Sequence, residues 1–196
     1  MLLRRILMKR LIKLLAISLL TTSTAVLADA VDINLSNDVA QFQYLAPMGD
    51  VGQGKSELHM GFLYNNSNGR LADVGIMVMN GDGSASGLAL GVGVKALAVS
   101  MNNNNSMALA LGGRVRLSPF ADNRLGVVGQ IYMAPDIVTF GDADRFVETG
   151  VQVEYERLTQ TLAYVGYRKI NFGLKAAPAR DVLLNEGIHI GVRIAL

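Results

Sequence analysis

The side chains best suited to acid–base chemistry are the two histidines, His59 and His189. His189 lies a few residues from Glu186 and not far from Asp181, so these three could support hydrolysis or acyl transfer, in which an imidazole moves a proton. That chemistry lacks a recognisable nucleophile, because the sequence has no cysteine and no Gly-x-Ser-x-Gly turn. A hydrogen-bonded structural histidine is the favoured interpretation of His189, and we predict that the protein is not an enzyme.

The sequence supports metal or cofactor chemistry no better than it supports acid–base catalysis. The histidines and the scattered carboxylates lack the spacing of a metal site. Residues 91–93 (GVG) lack the third glycine and the βαβ context of a nucleotide-binding loop. The absence of cysteine also excludes a thiolate site and a disulfide scaffold. We therefore predict neither a metal nor a cofactor.

The elements that would position these side chains are β-strands. Residues 146–157 alternate between two sets of side chains, as the two-residue period of a strand requires. One set contains valines, Thr149 and Tyr155, and the other contains glutamates, Gly150 and Gln152. The same alternation recurs in seven other segments, some of them weaker: 56–64, 71–79, 87–101, 107–118, 124–134, 162–172 and 187–196. Turn-forming residues such as asparagine, glycine and proline separate them. Eight strands joined in series predict an antiparallel meander.

One of these segments changes phase. Leu88 to Val94 place their apolar side chains at even positions, whereas Leu97, Val99 and Met101 are odd. An extra residue in one strand of an antiparallel pair shifts the alternation in this way. We expect a β-bulge near Lys95 and Ala96.

The amino-terminal residues predict export. Five basic residues precede an apolar run at 14–20, small polar residues follow, and Ala28 offers a cleavage point, which is the order of a signal peptide. The run is too short for a spanning helix, and no later segment supplies one. Removal of residues 1–28 leaves 13 basic and 16 acidic residues, a net charge of −3. With no basic stripe remaining, nucleic acid is excluded as a partner.

A meander of this kind fits either a soluble barrel or a barrel in lipid. The export signal, the strands of about ten residues and the small residues opposite the apolar face favour lipid. The predicted fold is an all-β, antiparallel, up-and-down transmembrane β-barrel of the Gram-negative outer membrane, with eight strands favoured and ten as the alternative. Residues 1–28 form the signal peptide, 29–55 a plug, a lid or an extra hairpin, and 56–196 the barrel.

The carboxyl terminus resembles the signal that the barrel-assembly machinery reads. His189 is the polar residue, Gly191 follows two positions later, and Ile194 and Leu196 are the alternating apolar residues, although Leu196 replaces the usual aromatic. We expect the export and assembly machineries as partners during biogenesis and lipid as the permanent surroundings.

Charged residues fall on the face opposite the apolar one. These are Arg114, Arg116, Glu148, Glu154, Glu156 and Arg193, with one of Arg168 and Lys169. An eight-stranded barrel is just wide enough for side chains, and an unpaired buried charge is costly, so we expect opposite charges to pair in the lumen. A selectivity ring in a narrow channel is the alternative.

The sequence resembles the YfaZ family of small proteobacterial outer-membrane proteins. The likeness covers roughly residues 56–196 and rests on five short segments: 87–93 (GLALGVG), 110–113 (ALGG), 132–136 (YMAPD), 148–151 (ETGV) and 164–168 (YVGYR). The resemblance implies an exported outer-membrane β-barrel whose biochemical role is unassigned. It supplies no catalytic residues.

Three functions stay open at this stage. The favoured one is a structural or interaction barrel with a charge-paired, closed lumen and an unknown ligand. The alternatives are a narrow channel for ions or small solutes and, less favoured, a lipid-modifying enzyme that uses His189.

Overall fold

A computed structural model describes residues 29–80, 87–101, 104–120, 124–158, 160–175 and 180–196. The predicted signal peptide, residues 1–28, lies outside the described residues. These described segments consist almost wholly of β-strands joined by short turns. Their bounds are β1 (Ala30–Leu35), β2 (Val39–Val51), β3 (Gly54–Asn65), β4 (Gly69–Met79), β5 (Leu88–Met101), β6 (Asn104–Leu117), β7 (Leu125–Ala134), β8 (Thr139–Gly141), β9 (Ala143–Leu158), β10 (Thr161–Leu174) and β11 (Arg180–Ala195).

The strands close into a barrel. Each strand from β1 to β7 pairs antiparallel with the next, β7 pairs with β9, and β9, β10 and β11 follow in order. The pairing of β1 with β11 closes the ring. The three-residue strand β8 pairs with β6 and occupies the same place in the wall as β7. A 3-10 turn at Asp136–Val138 joins β7 to β8, so the wall contains ten strands.

The expectation of eight strands is wrong. The two additional strands are β1 and β2, which lie in the barrel wall, as the extra hairpin kept as an alternative would. Strand β1 has only six residues, and so short a segment gives a weak two-residue period. Its place in the wall depends on pairing with β11, about 160 residues further along the chain.

The expected bulge near Lys95 is also absent from the described pairings. The register of β5 runs without a shift against β4 and against β6. The odd residues of β5 point inward along its whole length, including Lys95, Leu97 and Val99, which are all buried. The change of phase in the sequence therefore marks a change in the interior, from small and polar to apolar.

The two ends of the barrel differ. The terminal end carries Ala30, Ala195 and the turn at 52–53, and the loop end carries the turns at 36–38 and 66–68. In the loop-end half the interior is apolar. The buried side chains of this apolar cluster include Leu63, Leu71, Leu97, Met101, Phe146, Ile170, Phe172 and Leu184. The middle and the terminal half hold the charged side chains described next.

The outer face is apolar and exposed. Large side chains from every part of the wall point away from the lumen, among them Ile33, Phe42, Phe62, Val92, Leu111, Ile131, Val151, Val165, Ile188 and Ile190. A soluble barrel would carry polar residues here, whereas lipid is the solvent that such a face requires.

Candidate functional site

The polar lumen is the candidate functional site. Its charged side chains come from several strands, because residues of one parity point inward along each strand. The inward charges in contact with opposite charges are Asp32, Lys95, Arg114, Arg116, Glu148, Glu154 and Arg193.

Lys95 and Glu148 form an ion pair at the middle of the barrel. The two side chains are only 6% and 7% exposed. Glu148 also accepts a hydrogen bond from Gln130 Nε2 at 3.3 Å. The Lys95 ammonium lies 4.3 Å from the ring centroid of Tyr132 and 5.6 Å from that of Phe146, so aromatic faces contribute to its stabilisation. This pair marks the boundary between the polar and apolar halves.

A second group of charges lies toward the terminal end. Glu154 is buried and accepts hydrogen bonds from Arg114 at 3.2 Å and from Arg116 at 3.3 Å. Gln152 donates a further bond to the same carboxylate at 2.7 Å. Glu156, two residues along the strand from Glu154, is half-buried. Two arginines around one carboxylate compensate its desolvation with charge and with hydrogen bonds.

A third pair joins the two ends of the chain. Asp32 on β1 and Arg193 on β11 are register partners, and the arginine Nε donates to the carboxylate at 3.1 Å. The hydroxyl of Tyr164 donates to the other carboxylate oxygen at 2.5 Å. Asp32 is 1% exposed. The strand pair that closes the barrel is therefore joined by a buried ion pair as well as by backbone hydrogen bonds.

Of the two candidates Arg168 and Lys169, the structure places Arg168 inside. Its guanidinium donates to the side-chain oxygens of Asn185, at 3.1 Å, and of Gln41. Lys169 points outward and pairs with Glu186 at 3.1 Å. Among the described residues, the hydrogen-bond partners of this buried arginine are thus neutral amides.

Inward glycines provide room for the large lumen side chains. A Cβ at Gly112 would collide with the ring of Tyr132, and one at Gly191 with the ring of Tyr164. A Cβ at Gly75 would likewise collide with the ring of His59. Small residues on the lumen face therefore leave room for aromatic rings from neighbouring strands. These rings fill the space that a side chain at the glycine would take.

Side chains leave little open volume in the middle of the lumen. The remaining cavity is about 70 Å³ and is lined by polar groups that include Asn34, Arg168 and His189. Asn34 Oδ1, Arg168 Nη2 and His189 Nδ1 have no hydrogen-bond partner among the described residues. A polar cavity of this size holds only a few water molecules.

The residues considered for catalysis are not brought together. His189 is buried in the lumen and packs edge-on against Tyr164, with ring centroids 5.8 Å apart. Glu186 faces outward and accepts a bond from Tyr167. Asp181 pairs with Arg145 near the loop end. His189 and the two carboxylates therefore have separate partners.

The predicted assembly signal occupies the end of β11. His189 and Gly191 point inward, and Ile194 and Leu196 point outward with exposed side chains. This terminal stretch pairs with β1 on one side and β10 on the other. Recognition by the assembly machinery stays a prediction.

The sequence reasoning missed several inward ionisable residues of the lumen, among them Asp32, Asp73 and Lys95. Their parity was a usable signal, since Asp32 alternates with Val31 and Ile33. Asp73 is buried, and its carboxylate lies 3.5 Å from the imidazole of His59. Lys95 shares its parity with the small residues at 89, 91 and 93, but the assumed bulge placed it elsewhere.

The described segments contain neither a metal centre nor a membrane-spanning helix. No group of three or more histidine, aspartate or glutamate side chains there could hold a metal ion. No helix in that part of the chain is long and apolar enough to cross a membrane.

A closed antiparallel barrel with an apolar outer face and a polar, charge-paired interior defines an integral membrane β-barrel. The YfaZ precursor family matches residues 8–196, so this chain belongs to that family. It is an exported outer-membrane β-barrel protein, as the sequence predicted.

Similar folds occur among solved structures. The chain is 12% identical to the outer-membrane expressed OmpT of Vibrio cholerae, with a TM-score of 0.43, and the match covers 85% of this chain and 64% of OmpT. The KdgM porin is 11% identical, with a TM-score of 0.42 and coverage of 87% and 99%. Similarity this low indicates nothing about shared function. No curated protein matches the chain significantly.

Proposed function

We propose that this protein is a closed outer-membrane barrel of structural or interaction type, which acts through its surfaces and neither transports solutes nor catalyses a reaction. The observation that carries the proposal is the filled lumen. An apolar cluster crosses the loop-end half, and paired charges occupy the middle and the terminal half.

The apolar cluster is the stronger obstacle to solutes. Phe146, Phe172, Leu63 and Leu184 have no exposed surface. The rings of Phe146 and Phe172 are in contact, with centroids 5.0 Å apart. An ion on this route would have to leave water and displace close-packed side chains, which is unfavourable on both counts.

The charged belt supports the same function. A conducting selectivity ring presents charges of one sign to a water-filled path. Here Glu154 is shared by two arginines, and Glu148 is bonded to Lys95 and Gln130. Charges that satisfy one another in this way are stabilising groups of a packed polar core.

Absence of catalysis is part of the proposal. It is supported by the separate surroundings of His189, Glu186 and Asp181, which leave the imidazole without an acidic partner in contact. A His189→Ala variant should leave any lipid- or peptide-modifying activity of the membrane unchanged. Loss of such an activity would assign the histidine a catalytic role.

Single-channel recording of the refolded mature protein in a planar bilayer tests the closed lumen. Heat-modifiable electrophoretic mobility in the same preparation establishes that the barrel is folded. We expect folded protein without reproducible conductance steps. Discrete ion-selective steps that change in a Glu154→Gln variant would overturn the proposal in favour of the narrow channel.

A further inference from the structure

The barrel wall is incomplete where its first and last strands meet. Strand β1 has six residues and β11 has sixteen, and their pairing ends at Leu35 and Ile190. From Arg180 to His189, none of the described strands pairs with β11 on the side away from β10. We call the resulting gap at the loop end the seam notch.

The seam notch is an open cavity of about 650 Å³. Strand β11 forms one side of it, and the turns at 36–38 and 66–68 form the other. One side chain bridges the gap, since Asn65 Nδ2 donates to the carbonyl oxygen of Leu184 at 2.6 Å. Residues 183 and 185–190 of β11 line the notch.

The walls of the seam notch are amphipathic. Leu35, Ile188 and Ile190 point outward, are 51%, 69% and 63% exposed, and continue the lipid-facing surface. Asn185 and His189 point inward and are buried. His189 lines both the notch and the lumen cavity, and its Nδ1 has no hydrogen-bond partner among the described residues. An occupant therefore meets apolar surface toward the bilayer and polar groups behind it, among them the unpartnered Nδ1 of His189.

The charges of the notch indicate which headgroup fits. Of the described residues that line it, Asp38 and Glu186 are acidic and none is a lysine or an arginine. Glu186 is paired with Lys169 at the outer surface, and the Asp38 carboxylate would repel a phosphate. Hydroxyl groups can both donate and accept hydrogen bonds, so they suit the amides, the imidazole and the backbone edge equally well.

We propose that the seam notch binds the uncharged, hydroxylated headgroup of a membrane glycolipid from the leaflet at the loop end. The headgroup hydroxyls bond to the β11 edge and to the polar residues behind it, and an acyl chain lies along Leu35, Ile188 and Ile190. A strand edge at the membrane boundary needs hydrogen-bond partners that hydrocarbon cannot supply. Glycolipid binding at the notch does not depend on whether the lumen conducts.

A fluorescence experiment is favoured because the chain has no tryptophan. One reporter is Asn37→Trp, at the rim of the seam notch. The matched reporter is Met107→Trp on β6, an exposed lipid-facing position outside the notch. Each is folded into phosphatidylcholine vesicles that contain the same minor fraction of brominated galactosyl diacylglycerol or of brominated phosphatidylcholine with the same acyl chains.

We expect the brominated glycolipid to quench the Asn37→Trp reporter about twofold more strongly than brominated phosphatidylcholine does, which reflects preferential occupancy. For Met107→Trp, the ratio of quenching by the brominated glycolipid to quenching by brominated phosphatidylcholine should be close to one. Equal ratios at the two positions would overturn the proposal. Absence of quenching of Asn37→Trp by either lipid would also overturn it, because a protein such as a second copy of this chain would then cover the notch.

His189→Phe, added to the Asn37→Trp reporter, tests the polar residues of the notch. Phenylalanine keeps a ring against Tyr164 but removes both imidazole nitrogens. The glycolipid preference should fall toward one, and a preference that is unchanged would contradict the assignment of His189 to the headgroup. Heat-modifiable mobility checks folding, and if this variant does not fold, the comparison of the two single reporters decides the proposal.

Discussion

Lys95 on β5 and Glu148 on β9 form an ion pair inside the barrel although 53 residues separate them in the chain. Four strands, β5, β6, β7 and β9, must come together before these two side chains can meet. The pair lies where the polar half of the lumen meets the apolar half. The ion pair therefore forms only when these four strands have assembled.

Replacing Lys95 by methionine should destabilise the barrel by about 3–5 kcal/mol, because the Glu148 carboxylate is left buried without its cation. Equilibrium unfolding in urea, with the protein in lipid vesicles, measures the change. The double variant Lys95→Met/Glu148→Gln should recover most of the loss.

Asp181→Asn is the control for this prediction, since the Arg145–Asp181 pair is 59% and 60% exposed and solvent screens it. We expect little change in the control. A single Lys95→Met variant as stable as the wild type would contradict the interpretation of the lumen as a charge-paired core.

The packing of aromatic rings against inward glycines gives a second prediction. Gly112→Ala should destabilise the barrel by about 1–3 kcal/mol, because the methyl group collides with the ring of Tyr132 and with the carbonyl oxygen of Ile131. Gly150→Ala is the matched lumen-facing control, since its nearest neighbour, Gln130 Cγ, would lie 3.4 Å away at ordinary contact distance. Thermal loss of heat-modifiable mobility compares them, and equal midpoints for the two variants would refute the role of Gly112.

The apolar cluster gives a third prediction. Phe172→Ala should destabilise the protein by about 3–5 kcal/mol, because it removes a fully buried ring and leaves a cavity beside Phe146. Ile137→Ala, at a side chain that is 84% exposed, should change stability by no more than about 0.5 kcal/mol. Urea unfolding in vesicles tests both, and a small loss for Phe172→Ala would mean that the loop-end half is loosely packed.

The ion pair at the closing strands gives a fourth prediction. Asp32→Asn weakens the contact with Arg193 and with the Tyr164 hydroxyl. Amide hydrogen exchange in β1 should accelerate about tenfold or more, since opening of that strand becomes easier by at least about 1.4 kcal/mol. Exchange in β4, three strands away in the wall, should not change. Equal acceleration in both strands would indicate global destabilisation and not opening of the seam.

Much of the wall could be predicted from sequence because alternation is a local property. The pleat sends successive side chains to opposite faces, so eight of the wall strands were recognisable without knowledge of their partners. The same rule placed Arg114, Glu148 and Glu154 on one face. In the structure, these three side chains point into the lumen.

The errors arose where the rule was applied too narrowly. The sequence reasoning treated each strand as having one apolar face, directed to lipid. In the loop-end half both faces are apolar, because Leu97, Val99 and Met101 fill the lumen. The alternation of hydrophobicity then vanishes although the alternation of direction persists. A bulge was inferred where none exists, and Lys95 was overlooked.

The sequence by itself determined the class of the protein: an exported chain of alternating strands that suits a lipid-facing barrel. Only the tertiary structure decided that ten strands close the wall, that Lys95 meets Glu148 and Asp32 meets Arg193, and that β1 ends early beside β11. The physical reason is that side chains alternate in direction along a strand, so the face on which each one lies follows from the local sequence. Closure, register and the pairing of charges depend on strands far apart in the chain.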